Sequence, residues 1–345
     1  MSKARQLADL GNVYDDGALS NRNLIINGAM AVDQRNSTVT DNGYTVDRFM
    51  LSSSGDGVVT GEQVSTSPSD FNNSLKITNT TADTSVAAAE FYDILYRVEG
   101  YSVAHLNWGT SDAKTVTLSF WVRSSSTGTF SVQFRNVNSD RTFVFDYTVD
   151  AADTWQKITK TISGDTTGTW NKTTSVGIDI LFPLATGSNY TTSTTDAWQS
   201  GNYNASTNAN TTWIGTANNT FYITGVQLEV GDTATPFEHR SYGDELKRCQ
   251  RYYEVMKADV NIYGSVWSAE LSASTNCWAS WLFQTEKRAA PTFGLLNGTT
   301  WQKGGSTEST YTMPTGVNFN SNGYFYFSST TASAGDPLLK ADAEL

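Results

Sequence analysis

Two histidines, two cysteines and a scatter of acids are what this chain offers for chemistry. His105 lies in YSVAHLNWGT and His239 in FEHRS, and neither has the nucleophile-elbow context that a Ser-His-Asp or Cys-His device uses. Histidine-based catalysis is therefore not expected. No G-x-x-x-x-G-K-[ST] loop, HExxH helix or dinucleotide fingerprint occurs. Carboxylates are the remaining option, because a glycosidic bond is cleaved by two of them, one on each side. Glu90 with Asp93, Asp179, Glu229 and Glu238 are the candidates. Asp179 and Glu229 each fall on the polar face of a predicted strand and could meet across a sheet. A solvent-facing acid or a salt-bridge partner is the simpler explanation of each, so the chain is read as a binding or structural protein, not an enzyme.

Metal chemistry has no clear signature. Asp-rich loops offer the carboxylate and carbonyl oxygens that a structural calcium takes, but without EF-hand spacing, so no cofactor is assigned and a metal stays unknown. Cys249 and Cys277 have no zinc-type spacing and read as two buried free thiols, which suits assembly in a reducing cytoplasm.

Aromatics are more informative. Sugars bind proteins by stacking their C–H faces on flat rings while amides and hydroxyls meet the equatorial oxygens. The long polar segment 185–215 carries Trp198, Tyr203 and Trp213, and the C-terminal region carries Trp278, Trp281 and Trp301. These six are the glycan-contact candidates, against the alternative that large rings simply fill a core. Trp121, between Ser119 and Arg123 and opposite an apolar face, reads as a core or interface residue.

Composition frames these residues. The 345-residue chain is 17% charged and 38% apolar, with 27 glycines and abundant Thr, Ser and Asn. That is the composition of an all-β protein with many turns, and its aromatics supply enough apolar area for a core. A net charge of −11 disfavours nucleic-acid binding through a basic face. The first residues, MSKARQLADLG, lack the apolar core of a signal peptide, and no run approaches a membrane span. No membrane insertion is expected.

Residues 2–10 read as a short amphipathic helix with Ser2 as cap and Ala4, Leu7 and Leu10 among its apolar positions. Leu24 to Ile26 read as a first strand, followed by an Asn27-Gly28 turn signal and a strand over Tyr44 to Leu51. Phe91 to Tyr96 favour extended structure over a helix. Alternation is clearest in Leu118, Phe120, Val122; in Phe130, Val132, Phe134; in Phe143, Phe145, Tyr147, Val149; and in Val176, Ile178, Ile180, Phe182. Gaps of about 8 to 12 residues separate the first of these, the spacing of an antiparallel two-sheet jelly roll. Val226, Leu228 and Val230 occupy one face of a closing strand and Gln227 and Glu229 the other. A helix follows, with Ser241 and Asp244 as capping residues and an apolar stripe of Tyr242, Leu246, Cys249, Tyr253 and Met256. The 4-3-4-3 spacing of that stripe fits oligomerisation or domain docking. The expected organisation is an N-terminal helix and linker (1–22), a jelly-roll β-sandwich (23–240), a connecting helix (241–257) and a smaller C-terminal β domain (258–345). In the last, Asn322-Gly323 predicts a hairpin pairing Val317–Phe319 with Tyr324–Phe327.

Three stretches together resemble a known module: NLIINGAMAVDQRN…GYTVDRF (Asn23 to Phe49), AKTVTLSFWVRSSSTGTFSV (Ala113 to Val132) and ITGVQLEVGDTATPFEHRSYGDELKRCQRYYE (Ile223 to Glu254). They are similar to a module of bacteriophage tail-fibre and appendage proteins, which looks like the carbohydrate-binding jelly rolls attached to glycoside hydrolases. The final ADAEL (Ala341 to Leu345) looks like the ending of such chains. The resemblance implies a virion structural protein, a homotrimer displaying β-rich tips to the host, assembled in the host cytoplasm and released by lysis. Expected partners are other virion proteins at the N-terminus, held through Ala4, Leu7 and Leu10, and a host surface glycan or receptor, bound weakly and many times over. A structural capsid-decoration or tail-connector role is the alternative, and a polysaccharide depolymerase the third reading.

Overall fold

The computed structural model describes residues 21–209, 213–256, 276–280, 283–295, 301–303, 306–309, 324–328 and 339–345. The expected N-terminal helix, with Ala4, Leu7 and Leu10, lies outside them, as does Trp281. The chain divides into two compact units, 1–242 and 243–345.

The first unit is a jelly-roll β-sandwich. Its strands are β1 (Val39–Thr40), β2 (Gly43–Tyr44), β3 (Phe49–Ser54), β4 (Val58–Val64), β5 (Ser74–Thr81), β6 (Phe91–Glu99) and β7 (Val116–Ser124). There follow β8 (Gly128–Arg135), β9 (Arg141–Val149), β10 (Gln156–Ile162), β11 (Val176–Thr186), β12 (Thr191–Thr192), β13 (Trp198–Ser200), β14 (Ala205–Ser206) and β15 (Thr220–Val230). One sheet has six strands in the order β1-β4-β5-β15-β7-β10, and the other has seven in the order β13-β9-β8-β11-β6-β3-β2. The inward positions of both sheets form one cluster, among them Leu118, Phe120, Val122, Phe130, Phe134, Ile180, Phe182, Ile223 and Leu228. Period-2 alternation of large apolar residues produces this packing, because every second side chain points between the sheets.

Several predicted elements change on folding. Tyr44 to Leu51 is a hairpin, not one strand: β2 pairs with β3 around a turn in which Arg48 has φ +74°. Leu24 to Ile26 form no regular strand. They lie extended beside β15, with the Leu24 amide donating to the Leu228 carbonyl at 2.8 Å and the Val226 amide to the Gly28 carbonyl at 2.9 Å. Register explains the vacancy they fill, since β15 pairs with β5 only as far as Ile223. The closing strand also departs from simple alternation. Gln227 and Glu229, assigned to the polar face, are buried, whereas Val230 is 43% exposed. After Gly231 the chain turns back over the outer face, so Thr235 donates to both Glu229 oxygens and the Glu238 amide donates to Gln227 Oε1 at 2.8 Å.

In the second unit, α1 (Tyr242–Gln250) begins one residue after Ser241, where the capping residues predict. Its acids, Asp244 and Glu245, lie in the first turn and its bases, Lys247 and Arg248, in the last, as the helix dipole favours. The predicted apolar stripe does not survive intact. The helix stops at Gln250, and Tyr253 and Met256 belong to β16 (Tyr253–Met256). Tyr242 is 60% exposed while Cys249 is fully buried, so burial is uneven along the stripe. The remaining strands are β17 (Asn276–Ser280), β18 (Thr292–Leu295), β19 (Trp301–Lys303), β20 (Ser306–Ser309), β21 (Tyr324–Ser328) and β22 (Leu339–Asp342). The β22 strand sits between β16 and β18, so the C-terminal ADAEL begins in a central strand, with Ala341 buried within it and Ala343 buried just after it. Among the described residues β21 pairs with β17, and the expected hairpin partner Val317–Phe319 lies outside them.

Candidate functional site

Asp179 lies on β11 of the seven-stranded sheet and Glu229 on β15 of the six-stranded one, so they cannot meet across a sheet. Asp179 takes Arg135 at 3.1 Å and Arg97 at 3.5 Å. Glu229 is held by Gln227 and Thr235. Glu90 accepts the Ala87 amide within its own turn. Glu238 is desolvated, yet amide bonds from Asn23 and Asn21 and the charge of Arg240 hold it below the ordinary carboxylate range. His105 follows a helical turn and is held below its usual value by burial and by Lys114, while His239 rests against Phe71 and Phe237.

The motif residues brace the sandwich. The Asn27 side chain ties Val32 to the Asp47 carbonyl, and Asp47 accepts the Gln34 amide at 3.0 Å and Arg35 at 3.4 Å. Arg48, almost fully buried, donates to the Arg97 carbonyl and lies over Tyr96. Glu238 accepts the amides of Asn21 and Asn23, and Arg240 donates to the carbonyls of Asn23 and Ile25. NLIING and PFEHR, more than two hundred residues apart, are therefore two halves of one clasp.

Segment 187–209 straps the outer face of the seven-stranded sheet. Its β12 and β14 pair in parallel, while β13 extends the sheet edge beside β9. Asn202 takes Arg135, Ser206 donates to Asp146, and Asn204 donates to Asp93 at 2.8 Å. Burial is the main reason the Asp93 carboxyl rises to about 7, against the pull of Arg135 and Asn204. Among the described residues Asp93 Oδ1, Asn204 Oδ1 and both amide atoms of Gln133 find no hydrogen-bond partner. Among the described residues no three His, Cys, Asp or Glu side chains converge as a metal site.

The predicted ring contacts separate. Trp213 is completely buried and donates to the Thr220 carbonyl, so it is core and cannot stack on a sugar. Trp198 is partly buried in a cluster with Trp108, Trp170 and Phe143, with Nε1 donating to the Ser163 carbonyl at 2.7 Å. Tyr203 is half-buried, and its ring covers Gly201. Trp278 sits on β17 opposite Tyr326, and Trp301 on β19 opposite Ser309.

The aromatic surface that the structure does assemble is elsewhere. On the outer face of the six-stranded sheet Trp155, Tyr222 and Trp121 form a partly buried strip beside Phe71, which is largely covered. Trp155 meets Tyr222 edge-on at 6.1 Å, and Arg123 lies over Tyr222 at 5.1 Å. Phe71 packs on Phe237 and His239 at 5.0 and 5.4 Å. Gly225 makes the strip possible. It stands at a β-bulge with φ +62°, and a Cβ there would meet Phe71 at 2.6 Å and Trp121 at 2.9 Å. Trp155, Tyr222 and Phe71 escape sequence reasoning because no local pattern shows that strand β15 brings them beside Trp121. The available signal is a ring at the outward position of each strand, Trp121 in SFWVR and Tyr222 in FYI.

No protein-family model matches the chain, and no curated protein does. Solved structures align over the sandwich. They include the enzymatically active domain of tailspike protein 4 of bacteriophage CBA120 (TM-score 0.34, 10% identity, 61% of this chain and 22% of that one). A family 11 carbohydrate-binding module of a Clostridium thermocellum cellulosomal cellulase aligns with TM-score 0.29 and 14% identity, over 59% of this chain and 98% of the module. A xylan-binding family 22 module from Paenibacillus barcinonensis aligns with TM-score 0.30 and 17% identity, over 56% and 99%. Scores of this size describe partial overlap of sandwich sheets and assign no ligand or activity. The class defined by the chain's own sheets is a mainly-β protein whose first unit is a jelly-roll sandwich.

Proposed function

We propose that this protein is a phage virion appendage, a short tail fibre or spike, that holds the host surface through weak, multivalent glycan contacts and does not cleave the glycan. The observation that carries the reading is the aromatic strip of Trp155, Tyr222 and Trp121 on the solvent side of the six-stranded sheet. These rings lie outside the core cluster between the sheets and are only partly covered, and a group of apolar rings left partly open to water marks a contact surface. Flat rings flanked by Thr, Lys and Arg are what the apolar face of a sugar needs. Each contact is weak, and a homotrimer repeated over many appendages would raise the total by avidity. Separation of Asp179 and Glu229 onto different sheets favours binding over hydrolysis.

Purified protein should be retained by host-surface polysaccharide and should compete with phage adsorption. The double variant Trp121→Ala, Trp155→Ala should weaken retention by about tenfold, the equivalent of about 1.4 kcal/mol, with an unchanged circular-dichroism spectrum. Retention of neither host cells nor polysaccharide by the parent protein would remove the attachment role and leave the connector reading.

A further inference from the structure

The aromatic strip carries its own cations. Lys157 stands opposite Trp121, and Arg123 and Lys76 stand on either side of Tyr222. In a chain of net charge −11, three cations among these rings run against the general composition. Two of them pair with exposed carboxylates: Arg123 meets Asp153 at 3.2 Å and Lys76 meets Glu62 at 3.1 Å, with the two acid side chains 57% and 39% exposed. Ion pairs of that kind exchange partners at little cost. Arg123 differs from an ordinary surface arginine in how it is held. Its guanidinium lies over the Tyr222 ring with Nε buried, and a terminal nitrogen meets the exposed Asp153. A planar cation braced by a ring and paired through a terminal nitrogen is suited to exchange that partner for a sugar carboxylate, with a planar geometry that a lysine lacks.

We propose that the strip binds a carboxylated polysaccharide, a chain of uronate-type sugars. Arg123 pairs with a sugar carboxylate, Lys157 and Lys76 supply flanking charge, and Trp121 and Trp155 stack on the sugar faces. This rests on the glycan-binding reading above and adds the ligand's charge to it. The test titrates the full chain with polygalacturonate and with the same polymer after carboxyl reduction, at low and at raised salt. Carboxyl reduction should weaken binding by about tenfold, and Arg123→Ala should do the same on the acidic polymer only. Arg123→Lys should recover part of the loss, and salt should weaken the acidic polymer selectively. Equal affinity for the two polymers, or binding lost in Trp121→Ala but unmoved in Arg123→Ala, overturns the carboxylate assignment and leaves glycan binding standing. If neither polymer binds and host polysaccharide is not retained either, both readings fall. Should Arg123→Ala misfold by circular dichroism, the carboxyl-reduction arm on the parent protein decides.

Discussion

Asp93 and Asn204 share one hydrogen bond, and among the described residues each leaves one oxygen without a donor, although both are at least 95% buried. A single proton on Asp93 removes a buried charge, and the carboxyl raised to about 7 by burial holds that proton near neutrality. Because the folded value lies above the unfolded one of 3.8, the folded state keeps a proton that the unfolded chain has released. The contribution is fully present below about 3.8 and is lost as pH rises through about 7. Asp93→Asn should therefore raise the melting temperature at about pH 8 and change it little at about pH 4. A pH-independent shift in thermal melts would show that Asp93 is ionised in the fold. Glu238 has the opposite sign. Its depressed value contributes stability above the ordinary carboxylate range that is lost on acidification, and Glu238→Gln should remove that acid sensitivity.

At the scale of elements, the clasp between residues 21–28 and 236–240 decides whether the sandwich closes. Gly28 approaches β15 so closely that a Cβ would stand 2.0 Å from the Val226 carbonyl oxygen. That oxygen belongs to the backbone and cannot swing aside, so Gly28→Ala should destabilise the first unit by about 3 kcal/mol or more, read from chemical denaturation. Glu238→Ala removes the acceptor of two amides and should cost about 1–3 kcal/mol, with earlier proteolysis near residues 21–28. In the second unit the decisive pair is Lys287 with Glu254, both nearly inaccessible to water. Burial lowers the Lys287 amine below its ordinary range while Glu254 pulls it back. Lys287→Ala leaves a buried carboxylate uncompensated and should cost about 3–5 kcal/mol. The strands of the sandwich were legible because alternation is local. The clasp was legible only as a motif, since nothing in PFEHR says that its acid grips an amide two hundred residues upstream. Helix α1 was overextended because Tyr253 and Met256 keep helical spacing, and pairing of β16 with β22 overrides it.

At the scale of the molecule, two compact units predict two unfolding events. Calorimetry should resolve them, with Gly28→Ala moving one and Lys287→Ala the other. A single shared transition displaced equally by both variants would show that the units unfold together. By itself the sequence determined the β class, the sandwich strands and the absence of a familiar catalytic motif, because composition and period-2 alternation act over a few residues. Only the tertiary structure decided which rings face water. Trp213 went to the core, Trp198 to an aromatic cluster, and Trp121, expected at a core or interface, to the solvent face beside Tyr222 and Trp155. That outcome depends on strand order and on a bulge at Gly225, which join residues about a hundred positions apart in a way no local pattern encodes.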